Sequence, residues 1–351
     1  MNKPSSTAER IESRSTTWAV IAFAVSMAAV AALFGPARRP LAGAESLGSM
    51  AAWFATVFTG LGFAASYYLE SRHNPQHWRE SLPWIKRCLD LVALAAAIMM
   101  LCHLLIVAVS YLFQIGFVGL DVDRYGGAVL AAGTTAAMTY IGVQSGSRVN
   151  SQSIAQVAIA TAFVGTMASM IAAPDQAWWE WHFSALGNSD SASGARFNLT
   201  LTVTGLAVTA LANYVGHDLS QGMDQRGAAD KKLVTLLSWL LAGIGLCMMG
   251  VGLVPDAQNT PVHVGFASGM VLLFAVFSYF LMRRVPGIPK DFMIFSGIVV
   301  AAVVVSVLLW VPIGYYNLTG MEFVAAGFLF SWLIVFVRTA AAYGREAQPG
   351  S

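Results

Sequence analysis

The sequence predicts an all-α fold, a polytopic integral membrane bundle of about ten transmembrane helices with both termini inside. Three observations carry this. Of 351 residues, 57% are hydrophobic and only 11% charged, too apolar for a soluble domain of ordinary composition. The apolar residues gather into long runs, and a helix of about 20 such residues crosses the roughly 30 Å of hydrocarbon in a bilayer. Lys and Arg fall almost wholly in alternate loops, as the positive-inside rule requires of a multi-pass protein.

In chain order the runs are 17–35, 48–69, 88–114, 125–143, 153–173, 197–215, 232–254, 262–282, 291–313 and 321–341. An even number returns the chain to the side on which it started. With the termini inside, Lys3, Arg10, Arg14, Arg72, Arg79, Lys86, Arg87, Arg148, Arg226, Lys231, Lys232, Arg283, Arg284, Lys290, Arg338 and Arg345 lie inside, and only Arg38, Arg39, Arg124 and Arg196 lie outside. That is sixteen against four of the 20 cationic residues. None is left near a span centre, where it would cost about 2.5 kcal/mol or more. The basic, Ser-rich head resembles the start of a signal sequence, but 33–42 offers no clear small-x-small cleavage site and the apolar run is long, so the first run is read as a retained span. The chain then divides into a cytoplasmic tail 1–16, a four-span part 17–148, a six-span part 149–343 and a second cytoplasmic tail 344–351. The polar loop 144–152 between the two parts is too short for a free linker, and one packed bundle is expected. The expected location is the cell (plasma) membrane.

Composition also excludes. A net charge of +2, once topology accounts for the basic loops, leaves no support for nucleic acid or another polyanionic partner. Cys88, Cys102 and Cys247 all lie in spans, so an outer disulfide framework is excluded. Asn198-Leu199-Thr200 and Asn317-Leu318-Thr319 fit the glycosylation pattern but abut spans, where enzyme access is poor. Small residues in 131–137, and Gly243 and Gly245, read as helix-packing positions. Trp84 inside, and Trp178, Trp179, Trp181, Tyr315 and Tyr316 outside, read as the interfacial aromatic belt. His103, alone in mid-span, reads as an interhelical hydrogen-bonding group and not a haem ligand. His73, His77, His217 and Asp218 read as solvated residues at the inner side, and Asp90 as a partner for Lys86 or Arg87 one turn away.

The chemically interesting groups cluster on the opposite side: His182, Ser184, Asp190, Asp256, His263 and Glu322. The loop 173–196 begins Trp-rich and amphipathic, an interfacial segment that holds His182 and Ser184 near lipid headgroups; the competing reading is a membrane-hugging loop with an incidental histidine. In 254–263, Pro255 stops one helix, Thr260 suits an N-cap and Pro261 the first helical position, which puts His263 in a first turn. A helix N-terminus disfavours imidazolium, leaving His263 as a ligand or base, with Asp256 across the loop to orient it. Against that, Asp256 would satisfy loop amides and His263 a nearby carbonyl. Thr319-Gly320-Met321-Glu322 fits a capping box, which gives Glu322 a structural role, although a carboxylate facing a histidine also suits acid/base or metal chemistry. His182, His263, Asp256 and Glu322 together could ligate a divalent metal, with Zn²⁺ the first choice on ligand type. The sequence has none of the local metalloprotease spacings.

At these loops the chain resembles a family. His182, Ser184, Leu186, Gly187 and Asn188, with Phe197, Asn198 and Gly205, then Gly250 to Pro255, Asp256 and His263, then Gly320 and Glu322, resemble the bacterial and archaeal six-span membrane proteins of domain of unknown function 998. More distantly they resemble the Frag1/DRAM/Sfk1 group. The resemblance covers about residues 155–340 and leaves the first four spans outside it. It implies lipid headgroup chemistry or binding by analogy, since members of the distant group act in GPI-anchor lipid remodelling or membrane lipid organisation. Two departures stand out: Val254 precedes Pro255 where Phe is usual, and Phe323 follows Glu322 where a basic residue is common.

Three functions fit the sequence. One is a membrane-embedded hydrolase or transferase acting on a lipid or lipid-linked substrate. Its catalytic candidates are His182, Ser184, His263, Asp256 and Glu322. The second is a non-enzymatic lipid-binding or transport protein using the same groups. Span centres nearly free of charge argue against ion coupling. The third is a structural or assembly subunit.

Overall fold

The structure, a computed structural model, describes residues 7–43, 45–73 and 78–345. In chain order the elements are α1 (Thr7–Leu33), β1 (Arg39–Pro40), α2 (Leu47–His73), α3 (Trp84–Gly116), β2 (Asp121–Val122), α4 (Arg124–Ser147), α5 (Ser151–Ile171), α6 (Ala192–Gln225), α7 (Lys231–Leu253), α8 (Thr260–Arg284), α9 (Lys290–Trp310) and α10 (Leu318–Arg345). All ten helices are long and apolar enough to cross a membrane. The protein is an all-α, multi-pass membrane bundle.

Side-chain caps set several helix starts. Asp123 accepts from the amides of Tyr125 and Gly126 ahead of α4, and Asn150 forms a reciprocal capping box with Ser153 ahead of α5. Ser191 and Asp230 cap α6 and α7 in the same way. Helices reach beyond the apolar runs where their flanking residues find partners on neighbouring helices, tertiary contact overriding weak local propensity. Thus α1 starts at Thr7, and residues 7–16, expected as tail, are its first turns. There Glu12 accepts from Tyr140 Oη at 2.7 Å and Gln144 Nε2 at 2.9 Å on α4. Likewise α6 runs on to Gln225, so His217 and Asp218 are helical and half-buried, not loop residues. Ser151 donates to Asp218 Oδ2 at 2.5 Å. Asp90 and Arg79 are buried, and Arg79 lies over the Tyr67 ring. His77 lies outside the described residues.

Contacts divide the chain into two compact units, 1–149 and 150–351. In the first, α4 packs on α1 and α2. A Cβ on Gly142 would sit 2.7 Å from Thr59 O, so the small residues of α4 are what let the two backbones meet. His103 Nδ1 lies 3.3 Å from Thr56 Oγ1 between α3 and α2, with Trp53 edge-on to its ring. At the end away from the basic loops, β1 and β2 pair antiparallel. There Arg39 Nε donates to Phe34 O at 3.1 Å and Arg124 Nε to Ala31 O. Both carbonyls are at the end of α1.

In the second unit α6 is central, against α5, α7 and α10. Gly205 and Gly245 face each other across α6 and α7: a Cβ on Gly205 would lie 2.5 Å from Gly245 O and from Met249 N. Trp332 donates Nε1–H to Ser296 Oγ at 2.9 Å and stacks on Phe336, within an aromatic core that also takes Phe274, Phe277 and Phe292. At the inner end Arg226 lies 4.0 Å from the Tyr343 ring centre and donates to Gly222 O and Tyr343 O, while Tyr343 Oη donates to Pro286 O.

Candidate functional site

Three loops meet at the outer end of the second unit: 172–191 between α5 and α6, 254–259 between α7 and α8, and 311–317 between α9 and α10. The first is not a continuous amphipathic segment. It folds as two 3₁₀ turns, Trp178–Glu180 and Phe183–Gly187. Trp178 turns inward and is buried with Ala173, Leu186 and Phe197, whereas Trp179 and Trp181 are exposed, at 50% and 69%. Only the latter two suit the aromatic belt.

His182 stands between the two turns with extended backbone. Its ring is held at both nitrogens: Nδ1 is 3.0 Å from Ser184 Oγ, and Nε2 is 3.4 Å from Asp256 Oδ2. The ring and the carboxylate are 24% and 18% exposed, open enough to meet a ligand and enclosed enough to keep their geometry. A carboxylate at Nε2 favours the tautomer with the proton there, which leaves Nδ1 to accept the Ser184 hydroxyl proton. The expected pairing of Asp256 with His263 is therefore replaced by one with His182.

His263 is where the helix start was expected to place it, in the first turn of α8, but the cap is Asn259, which accepts from Val262 N at 3.2 Å, and not Thr260. His263 is 6% exposed and its Nδ1 lies 2.7 Å from Val254 O. That carbonyl is one of those left over at the C-terminus of α7, and a buried ring one short loop away satisfies it. His263 thus joins two helix ends.

Glu322 is not part of a capping box. Asn317 caps α10 by accepting from Gly320 N at 2.8 Å, so the carboxylate is released for another bond and accepts from Phe183 N at 2.5 Å. The same asparagine donates Nδ2–H to Trp179 O at 2.7 Å. Asn198 donates to Gly187 O at 2.9 Å. Both glycosylation-type asparagines thus have their amide nitrogens engaged by backbone. Asp190 is exposed near the end of the first loop.

Among the described residues no three of His, Cys, Asp and Glu stand close enough together to hold a metal ion. Of the four residues expected as possible ligands, His182 and Asp256 pair with each other, while His263 and Glu322 are bonded to Val254 O and Phe183 N.

Sequence reasoning missed the residues that frame the site. Asn188 accepts from Ala257 N at 3.0 Å and ties the first loop to the second. Phe183 packs edge-on against Phe323 and Phe197, with ring centres 4.7 and 5.3 Å apart. The departure at Phe323 thereby has a physical reason, since an aromatic ring fills the place over Phe183. An asparagine following glycine in a polar loop was the available signal for Asn188; nothing local marks Phe183.

Residues 156–339 match the model of a family described as protein of unknown function, DUF998. No curated protein and no solved structure matches the chain.

Proposed function

This chain belongs to the DUF998 family, and we propose that its outer site is that of a membrane-embedded hydrolase or transferase acting on an ester of a lipid or lipid-linked substrate. One observation carries the reading: the His182 ring bridges the Ser184 hydroxyl and the Asp256 carboxylate. This is the order of nucleophile, base and orienting acid that acyl transfer uses on unrelated folds. Ser184 Oγ attacks the acyl carbon as its proton passes to His182 Nδ1, and Asp256 steadies the imidazolium through Nε2–H. Collapse of the adduct breaks the ester bond, and the leaving alkoxide takes the proton from Nδ1. Water, or a second alcohol, then releases the acyl group from Ser184 by the same route. Exposed Trp179 and Trp181, which precede His182 in the chain, suit the headgroup level of a bilayer.

The test is labelling of the full-length protein, in membranes, with an alkyl fluorophosphonate, and mapping of the adduct by mass spectrometry. Modification of Ser184 in wild type, absent from Ser184→Ala and His182→Gln, is expected. A folded wild type unmodified at Ser184 would end the enzymatic reading. The same exposed tryptophans favour a second one, headgroup binding without turnover. Native mass spectra showing a retained lipid that His182→Ala and His263→Ala both lose would support it.

A further inference from the structure

The geometry points to Glu322 as a positioning residue for His182 and Ser184, an inference that rests on the nucleophile reading just given. Phe183, the residue between them, begins a 3₁₀ turn. Its amide precedes the first bond of that turn, from Ala185 N to His182 O at 3.0 Å, and so has no acceptor within it. Glu322 supplies one from 139 positions away, at 2.5 Å. Because Asn317 already caps α10, this carboxylate is not needed by its own helix. The next residue, Phe323, covers the Phe183 ring, and Asn317 holds Trp179 O. Three contacts from one helix start, through Asn317, Glu322 and Phe323, therefore hold the backbone on which base and nucleophile sit. Engaging Glu322 on the Phe183 amide keeps it and Asp256 in separate roles, one on the backbone and one on the His182 ring. A misplacement of about 1 Å in such a pair costs about a hundredfold in rate.

The test compares Glu322→Gln, which keeps an acceptor oxygen, with Glu322→Met, which keeps the shape and removes it. For Ser184 in each full-length protein, the maximal labelling rate at saturating fluorophosphonate and the half-saturating probe concentration are measured. Backbone hydrogen exchange over 178–187 is measured in parallel. The expected result is a fall of about a hundredfold in maximal rate for Met with little change in half-saturation, and near wild-type behaviour for Gln. Exchange over 178–187 should rise in Met and not in Gln. Gln as slow as Met, or Met as fast as wild type, would overturn the inference. Should Met not fold, slow labelling of a folded Gln variant overturns it and wild-type labelling supports it. If wild type itself is not labelled, the nucleophile reading falls alone, and exchange decides whether Glu322 holds the turn.

Discussion

The outer ends of the two units solve the same problem in opposite ways. In the first unit, arginines at that end turn back on their own backbone: Arg39 and Arg124 each donate to a carbonyl at the end of α1. In the second unit only Arg196 does so, donating to Ala168 O at 3.1 Å at the end of α5. Here His263 too is spent on a helix-end carbonyl, Val254 O, whereas His182, Ser184 and Asp256 bond to one another, and Glu322 and Asn188 reach amides on other loops. Three of the four cations that break the positive-inside bias are thus bound to helix C-termini, where unpaired carbonyls and the helix dipole attract positive charge. The lesson is that polar side chains absorbed by helix ends are scaffold, and those paired with other side chains and half exposed are where chemistry should be sought.

The strongest way to break the comparison is to remove the packing under one site. Gly205→Leu is expected to destabilise the second unit by about 3 kcal/mol or more, because overpacking at a backbone contact cannot relax. Gly133→Leu on α4, where an added Cβ meets nothing within 4 Å, should change stability by less than about 0.5 kcal/mol. Thermal unfolding followed by tryptophan fluorescence separates the two. Next in size, Asp256→Asn should slow Ser184 labelling by about a hundredfold with the fold intact, and unchanged labelling would reduce Asp256 to a loop residue. Arg124→Met should do the reverse, lowering the unfolding midpoint through loss of about 1–2 kcal/mol for a charged hydrogen bond while leaving labelling untouched. The smallest effect is at Asp123, whose carboxyl is held below its ordinary range by the amides of Gly126 and Tyr125. Its stabilisation is complete above the range where an unfolded aspartate titrates and is lost as pH falls through the lower folded value. Asp123→Asn should therefore flatten the acid side of the stability profile, as read from unfolding midpoints across that range.

Hydropathy and loop charge made the ten helices legible because both are local sums, insensitive to how helices pair. Boundaries were less so: residues 7–16 and 216–225 are largely polar yet helical, because they find partners on neighbouring helices, such as Tyr140 for Glu12 and Ser151 for Asp218, which no local pattern announces. The convergence of the three outer loops was also legible, because alternating spans force it. The pairings within them were not. Asp256 and His263 are neighbours in the loop, and proximity in sequence suggested a bond. But the nearest free acceptor for His263 was a main-chain carbonyl, Val254 O, which carries no sequence signature. Glu322 fitted a capping pattern three residues after Thr319, and Asn317 took that role first.

The bond from Glu322 to Phe183 also has a consequence for biogenesis. Translation produces the turn carrying His182 and Ser184 long before it produces the residue that holds it, with four whole helices, α6 to α9, in between to be synthesised and inserted. A nascent chain halted anywhere before α10 carries the base and the nucleophile without their clamp. The bond can form only once the tenth helix has been made, so on the proposed reading a partly made chain would lack an assembled site at the bilayer in which it is being inserted.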